Sequence, residues 1–462
     1  MHTHTFGEKA SAMGLLPFLT GKRRSLHLNP VNIGSREFKA DPYPFYARLR
    51  AEAPVYRVRI PPGETAWLIT RYDDVAMVLN DERFIKNRYN AVTPEQEVWG
   101  RKLLRLKWLR WLLRNMLHLD PPDHTRLRAL VSKAFTPRLI ERMRPRIETL
   151  ADELLDRVQD RGRMNLIRDY ALPIPTTVIA EMLGVPVEDR HKFRRWSRSL
   201  FISSTWELLK AVPSALALCH YVRQIIKMRR ANPRDDLVSA LALAEQAGDR
   251  LTEEELLAMV VLLLVAGHET TINLIGNGAL ALLGHPDQKE KLRNEPALIK
   301  SAVEELLRYA SPLEMATERY AREDVTIAGV TIRHGEMVLA VLASANRDGR
   351  QFPNADVLDL SRAPNKHLSF GLGTHFCLGA ALARLEGQIA LSTLLRRAPD
   401  LRLAVPRRAL RWRPGCLTRG LEALPVAFGN DGRVNDEQTA TRDAGVHDDS
   451  SCFQGNPGPP HT

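Results

Sequence analysis

The stretch HLSFGLGTHFCLGAALARLEG, residues 367–387, decides the fold because it holds one thiol in a glycine-rich loop directly before a helix-like run. Backbone N–H groups at a helix start stabilise the negative charge of a thiolate, which is a soft ligand for iron. The glycines allow the backbone to approach a flat, bulky cofactor without Cβ clashes, and Phe370 can cover the sulfur. A lone cysteine in such a loop is otherwise usually a buried hydrophobic residue. The pattern raises the hypothesis that Cys377 binds a metal-containing cofactor.

The cysteines and the apolar runs indicate the compartment. Cys219, Cys377, Cys416 and Cys452 have no pairable spacing, which argues against a disulfide-rich secreted fold. The N-terminal stretch has a short apolar run followed by basic residues, the wrong order for a signal peptide. The longest apolar run, residues 256–267, is about half of a membrane span and predicts a buried helix. We therefore expect a cytoplasmic protein.

The net charge of +12 is unevenly distributed. Residues 429–462 contain two arginines and six acidic residues, which leaves −4 in this tail and +16 in the rest of the chain. A basic body suggests an acidic protein partner, nucleic acid or an anionic membrane surface, although an arginine-rich genome would give the same bias. The tail is polar and poor in apolar residues, so we expect it to be disordered.

Hydrophobic periodicity predicts a mainly helical protein with a small β portion. Apolar residues recur every three or four positions in the stretches near 139–160, 175–184, 252–283, 296–310 and 378–397. Strand-like pieces are short and lie near residue 66, at 325–332 with a turn-forming glycine in the middle, and near 337. Without a repeat or a Gly/Ser linker, the sequence indicates a partly disordered N-terminal extension over 1–35, a single large domain over 36–428 and the acidic tail over 429–462.

Two polar motifs lie on predicted helices. AGHETT, residues 266–271, places the ionisable Glu269 beside Thr270 in an apolar helix, where a charge is costly without a partner or a function. Glu305 and Arg308 are spaced i and i+3, so they share a helix face. Taken alone, the first motif indicates a helix kinked by threonine, and the second indicates an exposed ion pair of little worth.

The pattern Phe370-x-x-Gly373-x-His375-x-Cys377-x-Gly379 resembles the haem-ligand loop of the cytochrome P450 superfamily. The stretches HLDPPDHTRLR, AGHETT and EELLR occur in the order of that family, and the resemblance, to the soluble bacterial type, covers roughly residues 36–428. It implies the P450 fold. It also implies haem b, with Cys377 as the axial ligand of the iron and Phe370 and Gly379 in the cofactor-binding loop.

The resemblance further implies roles for residues outside the loop. Glu269 and Thr270 would relay protons, while Ala266 and Gly267 would shape the oxygen pocket. Glu305 and Arg308 would belong to a structural network beneath the haem.

Four side chains would bind the haem propionates by the same resemblance. They are His124, Arg128, Arg319 and His375. His124 and Arg128 lie four residues apart, so both would face one carboxylate from a shared helix face. Each of the four, taken alone, is typical of a solvated surface residue.

The resemblance implies a monooxygenase that inserts one oxygen atom of O2 into a hydrophobic small molecule, by hydroxylation or epoxidation, in secondary metabolism. Electrons would come from NAD(P)H through a separate ferredoxin or flavodoxin and its reductase, because the tail is too short to fold as a redox domain. We expect a monomer that binds no nucleic acid. The competing hypotheses are a haem-thiolate peroxygenase, isomerase or dehydratase, against which the Glu269–Thr270 pair argues, and a non-catalytic haem-binding protein.

Three stretches would contact the substrate by resemblance, roughly 86–118, 170–210 and 313–316. Except for the first they carry few charges, which favours a hydrophobic substrate. The first contains RKLLRLKWLRWLLR, residues 101–114, with six cations, two tryptophans and no acid. Its cations fall on several sides of a helix, so we rank a pocket lid ahead of a membrane-surface segment.

Overall fold

The computed structural model describes residues 31–60, 63–91, 115–189, 192, 196, 205–246 and 248–429. The segment 101–114, the residues before 31 and those after 429 lie outside the described residues. The pocket lid, the disordered part of the extension and the disordered tail therefore stay predictions.

Fourteen α-helices occur in the described residues: α1 (Arg36–Ala40), α2 (Tyr43–Glu52), α3 (Tyr72–Asn80), α4 (Asp123–Ala134), α5 (Pro137–Arg142), α6 (Arg144–Gln159), α7 (Pro173–Met182), α8 (Thr205–Ala231), α9 (Leu237–Leu243), α10 (Glu253–Leu283), α11 (Pro286–Asn294), α12 (Ile299–Tyr309), α13 (Leu342–Ala345) and α14 (Ala380–Arg397).

The same residues contain twelve short strands: β1 (Val55–Ile60), β2 (Glu64–Ile69), β3 (Phe84–Ile85), β4 (Arg163–Asn165), β5 (Glu245–Gln246), β6 (Asp249–Arg250), β7 (Arg319–Ala321), β8 (Val325–Ile327), β9 (Val330–Ile332), β10 (Met337–Ala340), β11 (Arg402–Leu403) and β12 (Pro425–Ala427). The described residues from Asn32 onward belong to one compact unit. The predicted single, mainly helical domain with a small β portion is confirmed.

The longest helix, α10, forms the centre of the core. It begins with a capping box, in which the Glu255 N–H donates to the Thr252 hydroxyl and the Thr252 N–H donates to the Glu255 carboxylate. It packs against α7, α8, α12 and α14. Its length and composition would suit a membrane span, yet 61% of its most apolar window is buried inside the protein. The helix is therefore surrounded by other elements of the chain on most sides, as expected for a core helix.

The helix predicted near 139–160 is divided in two. α5 ends at Arg142 and α6 begins at Arg144, with Met143 between them. Pro145 lies in the first turn of α6, where its missing N–H is not needed. In one continuous helix, the same proline would lose a hydrogen bond to Glu141 and its ring would clash with that carbonyl. Proline geometry thus explains a break that hydrophobic periodicity does not show.

The main sheet has five strands in the order β1–β2–β10–β7–β3. β1 and β2 form an antiparallel hairpin with Val55 opposite Ile69, and β10 runs parallel to β2 with Met337 opposite Ala66. β7 pairs antiparallel with both β10 and β3. This order brings Arg319, the first residue of β7, next to the C-terminal end of α3.

Small sheets lie outside the main sheet. The hairpin at 325–332 is confirmed: β8 and β9 pair antiparallel around Gly329, whose φ is +74°. At the chain end, β12 lies between β4 and β11 and pairs antiparallel with both. The residues before β12 pair through two isolated bridges, Trp412 with Leu421 and Leu313 with Thr418. The second bridge joins this part of the chain to the stretch predicted to contact the substrate.

Candidate functional site

The glycine-rich loop places Cys377 between a single turn of 3-10 helix, Gly373–His375, and the first residue of α14. The Cys377 N–H donates to the Phe370 carbonyl at 2.9 Å, which closes the loop. Gly371 has a φ of +70°, a backbone conformation that side chains rarely adopt. The thiol is thus presented by a tight turn directly before a helix, as the sequence predicts.

Gly373 is required where the loop meets α3. Its φ is +71°, and a Cβ there would lie 2.4 Å from Asn80 Oδ1 and 3.1 Å from the Leu79 carbonyl oxygen. A side chain at this position would force the loop away from α3. We expected the loop glycines to let the backbone pack closely against a cofactor. At Gly373 the close packing is instead against α3.

The electrostatics of the thiol are a balance of opposing effects. Cys377 is exposed, yet the protein packed around it raises the pKa of the thiol. The Gly379 N–H, Arg128 and Arg384 lower that pKa without cancelling the effect of burial. The backbone N–H at the helix start therefore favours the thiolate, as expected, but burial outweighs it. A metal cation would supply the missing positive charge, because metal binding deprotonates a coordinating thiol.

His124 and His375 form the centre of a cationic cluster. Their rings lie 4.2 Å apart, and neither ring nitrogen of the buried His124 has a hydrogen-bond partner in the described structure. Burial lowers the pKa of His375 to about 2, and the nearby Lys86, Arg319 and Arg128 act in the same direction. Side chains that destabilise each other's charge in this way fit a ligand that brings negative charge.

The two arginines predicted for this cluster are both present but differ in their protein contacts. Arg319 is buried; its Nη2 donates to the Leu79 carbonyl at 3.3 Å, and burial lowers its pKa to about 10, against an opposing effect of Asp120. Arg128 Nη1 donates to the Phe376 carbonyl at 2.7 Å, next to the thiol. Arg128 therefore holds the cysteine loop as well as contributing positive charge.

Lys86 belongs to the same cluster, and the sequence analysis did not identify it. Its Nζ donates to the Thr317 hydroxyl, to the Thr317 carbonyl at 2.7 Å and to the Glu318 carbonyl at 3.0 Å. Burial, with a contribution from Arg319, lowers the pKa of Lys86 to about 7, against opposing effects of Glu318 and Asp120. Nothing in FIKNR distinguishes this lysine from a solvated one, because its partners lie more than two hundred residues away in sequence.

Ala266, Gly267 and Thr270 occupy the middle of α10, but their side chains do not share one orientation. Ala266 is exposed on a helix that is otherwise largely buried, and the Thr270 hydroxyl donates to the Ala266 carbonyl at 3.1 Å. A Cβ on Gly267 would instead meet Ile179 of α7 at 3.6 Å. Ala266 therefore has the open position expected of the oxygen pocket, whereas Gly267 faces the neighbouring helix.

Glu269 has two partners from the end of the chain. The Thr418 hydroxyl donates to Glu269 Oε1 at 3.2 Å, and Arg413 Nη1 lies 3.6 Å from the same oxygen. Burial raises the pKa of Glu269, while Arg413 and Thr418 lower it. The sequence analysis missed both partners, which are separated from Glu269 by more than 140 residues.

Glu305 and Arg308 are buried, so the exposed ion pair indicated by their spacing alone is wrong. Both side chains have no exposed surface, and the arginine donates to both carboxylate oxygens at 2.7 Å. Arg308 Nη1 also donates to the carbonyls of Asn346 and Ala355, at 2.9 and 2.7 Å. Arg362 Nε lies 3.1 Å from both Glu305 oxygens and is a third member that the sequence analysis missed. The pair is the centre of a buried network that connects α12 to the residues before the cysteine loop.

A second network supports the loop through Phe370. The Arg384 guanidinium lies 4.4 Å from the centre of the Phe370 ring and donates to Glu304 at 2.7 and 2.8 Å. Burial raises the pKa of Glu304, but hydrogen bonds from His367 and Arg384 outweigh it and lower the value to about 2. Phe370 is therefore held between the thiol loop and a paired arginine.

The residues present fit haem. Cys377 offers one soft ligand, and the described residues contain no group of three or more His, Cys, Asp or Glu side chains that would hold a metal ion. A metal at Cys377 would therefore need the remaining ligands from its own macrocycle. The unpartnered His124 nitrogens and the neighbouring cations suit the two carboxylates of such a group.

Comparison with known proteins agrees with this chemistry. The Cytochrome P450 family model matches residues 27–398. The chain is 45% identical over 403 residues to a cytochrome P450 of Bacillus subtilis (strain 168), covering 87% of this chain and 97% of that relative. It is also 45% identical over 394 residues to the mycinamicin IV hydroxylase/epoxidase of Micromonospora griseorubida, covering 83% and 94%. The solved structure of the bacillaene polyketide synthase cytochrome P450 PksS from Bacillus subtilis 168 matches with a TM-score of 0.81 and 42% identity, over 86% of this chain and 100% of that one.

Proposed function

Because the chain belongs to the cytochrome P450 family and is a monooxygenase with a haem iron cofactor, we propose that it inserts one oxygen atom of O2 into a hydrophobic small molecule, by hydroxylation or epoxidation. The observation that carries the proposal is the exposed thiol of Cys377 near the unpartnered ring nitrogens of the buried His124 and the cations Lys86, Arg128 and Arg319. The thiol suits iron, and the cations suit carboxylates.

The cofactor in this proposal is haem b, whose iron Cys377 would bind. His124, Arg128, Arg319 and His375 would bind its carboxylates. Their support is the lowered pKa values of all four, which a negatively charged ligand would restore. Haem supplies the oxygen activation and the oxidising chemistry, while the protein binds, orients and shields the reacting groups.

Glu269 and Thr270 deliver protons to the oxygen pocket. Glu269 is mostly buried, with a raised pKa, so its carboxyl gains and releases a proton closer to neutral pH than an exposed glutamate does. Thr270 provides a hydroxyl one residue further along α10, beside the exposed Ala266. The pair therefore combines an acid and an alcohol on the helix that passes through the core.

The substrate is a hydrophobic small molecule. Met315 and Ala316, in the stretch expected to contact it, are apolar and buried. The named activities and pathways of the related proteins, a hydroxylase/epoxidase and a polyketide synthase P450, favour a secondary metabolite.

Electrons reach the enzyme from NAD(P)H through a ferredoxin or flavodoxin and its reductase. The excess of basic residues outside the tail suits an acidic electron donor, whose attraction weakens as salt screens charges beyond about 10 Å at 0.1 M. We place the enzyme in the cytoplasm as a monomer.

The reduced carbon monoxide complex tests the proposal. The purified protein should show the strongly red-shifted Soret band of thiolate-ligated haem, and Cys377→Ser should abolish it. Cys219→Ala, which changes a buried thiol on α8, is the matched control and should retain the band. A band that survives Cys377→Ser would refute the ligand assignment. Oxygenated product from a screen of apolar compounds that shift the haem spin state would then test the reaction.

A further inference from the structure

Arg413 lies near the end of the folded chain, yet it contacts the middle of α10. Its N–H donates to the Gly420 carbonyl at 2.9 Å, and the bridge between Trp412 and Leu421 fixes the same pair of segments. Gly420 permits a close approach to α10, because a Cβ there would lie 1.9 Å from Asn273 Oδ1. The arginine therefore extends from backbone that is packed directly against the helix.

The guanidinium of Arg413 contacts two α10 side chains one turn apart. Its Nη2 donates to Asn273 Oδ1 at 2.5 Å, and its Nη1 lies 3.6 Å from Glu269 Oε1. Glu269 and Asn273 are spaced i and i+4 and share a helix face. The side chains of Glu269 and Arg413 are 14% and 32% exposed, so water screens their attraction only in part. The hydrogen bond to Asn273 therefore keeps the Arg413 guanidinium close enough to attract the Glu269 carboxylate.

A hydroxyl provides the second contact with the same carboxylate oxygen. Thr418 Oγ1 donates to Glu269 Oε1 at 3.2 Å. Thr418 is itself bridged to Leu313, and the neighbouring Arg419 N–H donates to the Pro312 carbonyl at 3.1 Å. The segment that holds Glu269 is thus paired with the stretch expected to contact the substrate.

We propose that Arg413 is a positioning residue that holds Glu269 as the carboxylate of an ion pair, with Thr418 orienting the shared oxygen, and so determines when the relay has a proton to give. The inference rests on the proposed function for the role of Glu269 in proton transfer. Thr270, the neighbour of Glu269, donates instead to Ala266 within its own helix. The two members of the relay are therefore held by different parts of the chain.

The protonation of Glu269 follows from three effects. Burial raises the pKa of this carboxyl, and Arg413 and then Thr418 lower it; within the described residues these are the polar groups that act on it. Arg413 also lowers the pKa of the adjacent His268, which burial already lowers, so that imidazole stays neutral beside the pair. Without Arg413, burial would act with less opposition, and Glu269 would remain protonated to higher pH.

Infrared titration of the haem-loaded, full-length protein tests the inference without a substrate. The carboxyl C=O band that disappears in Glu269→Gln reports the protonation of Glu269. Arg413→Gln should move the midpoint of that band up by about one pH unit or more, because an opposite charge at this distance lowers a carboxyl pKa by one to three units. Arg413→Lys should restore most of the wild-type midpoint, and Thr418→Val should raise it by less than Arg413→Gln.

Arg411→Gln is the matched control, since Arg411 is an exposed arginine two residues away on the same segment. It should leave the midpoint unchanged. An unchanged midpoint in Arg413→Gln, or an equal shift in Arg411→Gln, would overturn the inference.

A double-mutant cycle separates ion pairing from general packing. Arg413→Gln should lower the urea midpoint of unfolding in the wild-type background and have much less effect in the Glu269→Gln background. Equal losses in both backgrounds would mean that Arg413 only fills space, and would overturn the inference. Turnover tests the proposed function separately, and the carboxyl titration remains readable if no product forms.

Discussion

The Glu305–Arg308 network and the cluster around His124 are both buried and highly charged, but they are neutralised differently. In the network, Glu305 accepts hydrogen bonds from Arg308 and Arg362, and Arg308 also donates to backbone carbonyls. In the cluster, Lys86 and Arg319 carry the same charge; Arg319 lowers the pKa of Lys86, and both lower the pKa of His375. The charges of the network are neutralised within the protein, whereas those of the cluster need carboxylates from a ligand.

This difference distinguishes charges that support the fold from charges that support binding. A buried ion pair whose donors are all hydrogen-bonded within the protein has no group left to bind a ligand. Removing one partner leaves the other as an unpaired buried charge. Like charges held together cost stability and persist where a ligand offsets the cost. Both regions contain buried charged side chains, so pairing rather than burial identifies the site.

The largest effect should come from breaking the closed network. Glu305→Ala or Arg308→Ala should cost about 3 to 5 kcal/mol in the free energy of unfolding, because each leaves an uncompensated buried charge. Little soluble haem protein should be recovered, measured as haem absorbance per total protein. Arg48→Ala removes one member of an exposed pair with Glu52 and should cost at most about 0.5 kcal/mol. Similar yields from the two kinds of variant would contradict the distinction.

Glu386 provides a third case, a buried acid without a cation. Burial raises its pKa to about 8, partly opposed by Thr271, and its Oε2 has no partner in the described structure. Between its unfolded pKa and about 8, the folded state keeps a proton that the unfolded state releases, so stability falls as pH rises through this range. Glu386→Gln should remove that fall, changing the difference between variant and wild-type free energies of unfolding by roughly 3 kcal/mol between pH 5 and 8.

Urea titrations of both proteins at three pH values measure the Glu386 effect. A pH-independent difference would show that the carboxyl ionises as freely in the folded protein as in the unfolded one.

Relieving the like-charge cluster should have opposite effects with and without haem. Arg319→Leu should stabilise the haem-free protein by about 2 kcal/mol, because a charge with a lowered pKa is removed from a buried cluster. The same change should speed haem transfer to an acceptor such as apomyoglobin, because one carboxylate partner is lost. Arg322→Leu, at an exposed arginine just beyond β7, should change neither quantity. Destabilisation of the haem-free form would instead place Arg319 among the structural charges.

The smallest effect on stability should come from Thr270. Thr270→Ala removes a hydroxyl that bonds back to its own helix, so the free energy of unfolding should change by less than about 0.5 kcal/mol. Haem and substrate binding should remain intact, while product formed per NAD(P)H consumed should fall several-fold and peroxide should rise. Unchanged coupling would remove Thr270 from the relay.

Local chemistry made the helices and the thiol loop predictable. Apolar residues along 252–283 indicated a buried helix, and α10 covers Glu253–Leu283. The glycines around Cys377 indicated a tight loop before a helix, and the positive φ of Gly371 and Gly373 agrees with it. These signals lie within one turn or one loop, where spacing in sequence sets distance in space.

The rest of the site depends on contacts between distant parts of the chain. Arg362 joins Glu305 from 57 residues away, and Lys86 reaches the Thr317 carbonyl across 231. An isolated lysine or arginine has the same local pattern whether it is solvated or buried, so no spacing rule identifies these two. Burial also determines that the pKa of the Cys377 thiol is raised and not lowered, and burial depends on the whole fold.

The two glycines of the thiol loop differ in what evolution or mutagenesis can put in their place. At Gly371 the nearest atom to an added Cβ is the His375 carbonyl oxygen at 3.9 Å, so the obstacle is backbone conformation, which asparagine and aspartate tolerate best. At Gly373 the obstacles are Asn80 and the Leu79 carbonyl oxygen as well as conformation. A library built around the loop should therefore recover polar substitutions at 371 but only glycine at 373. The end of α3 thus limits which residues are tolerated at position 373.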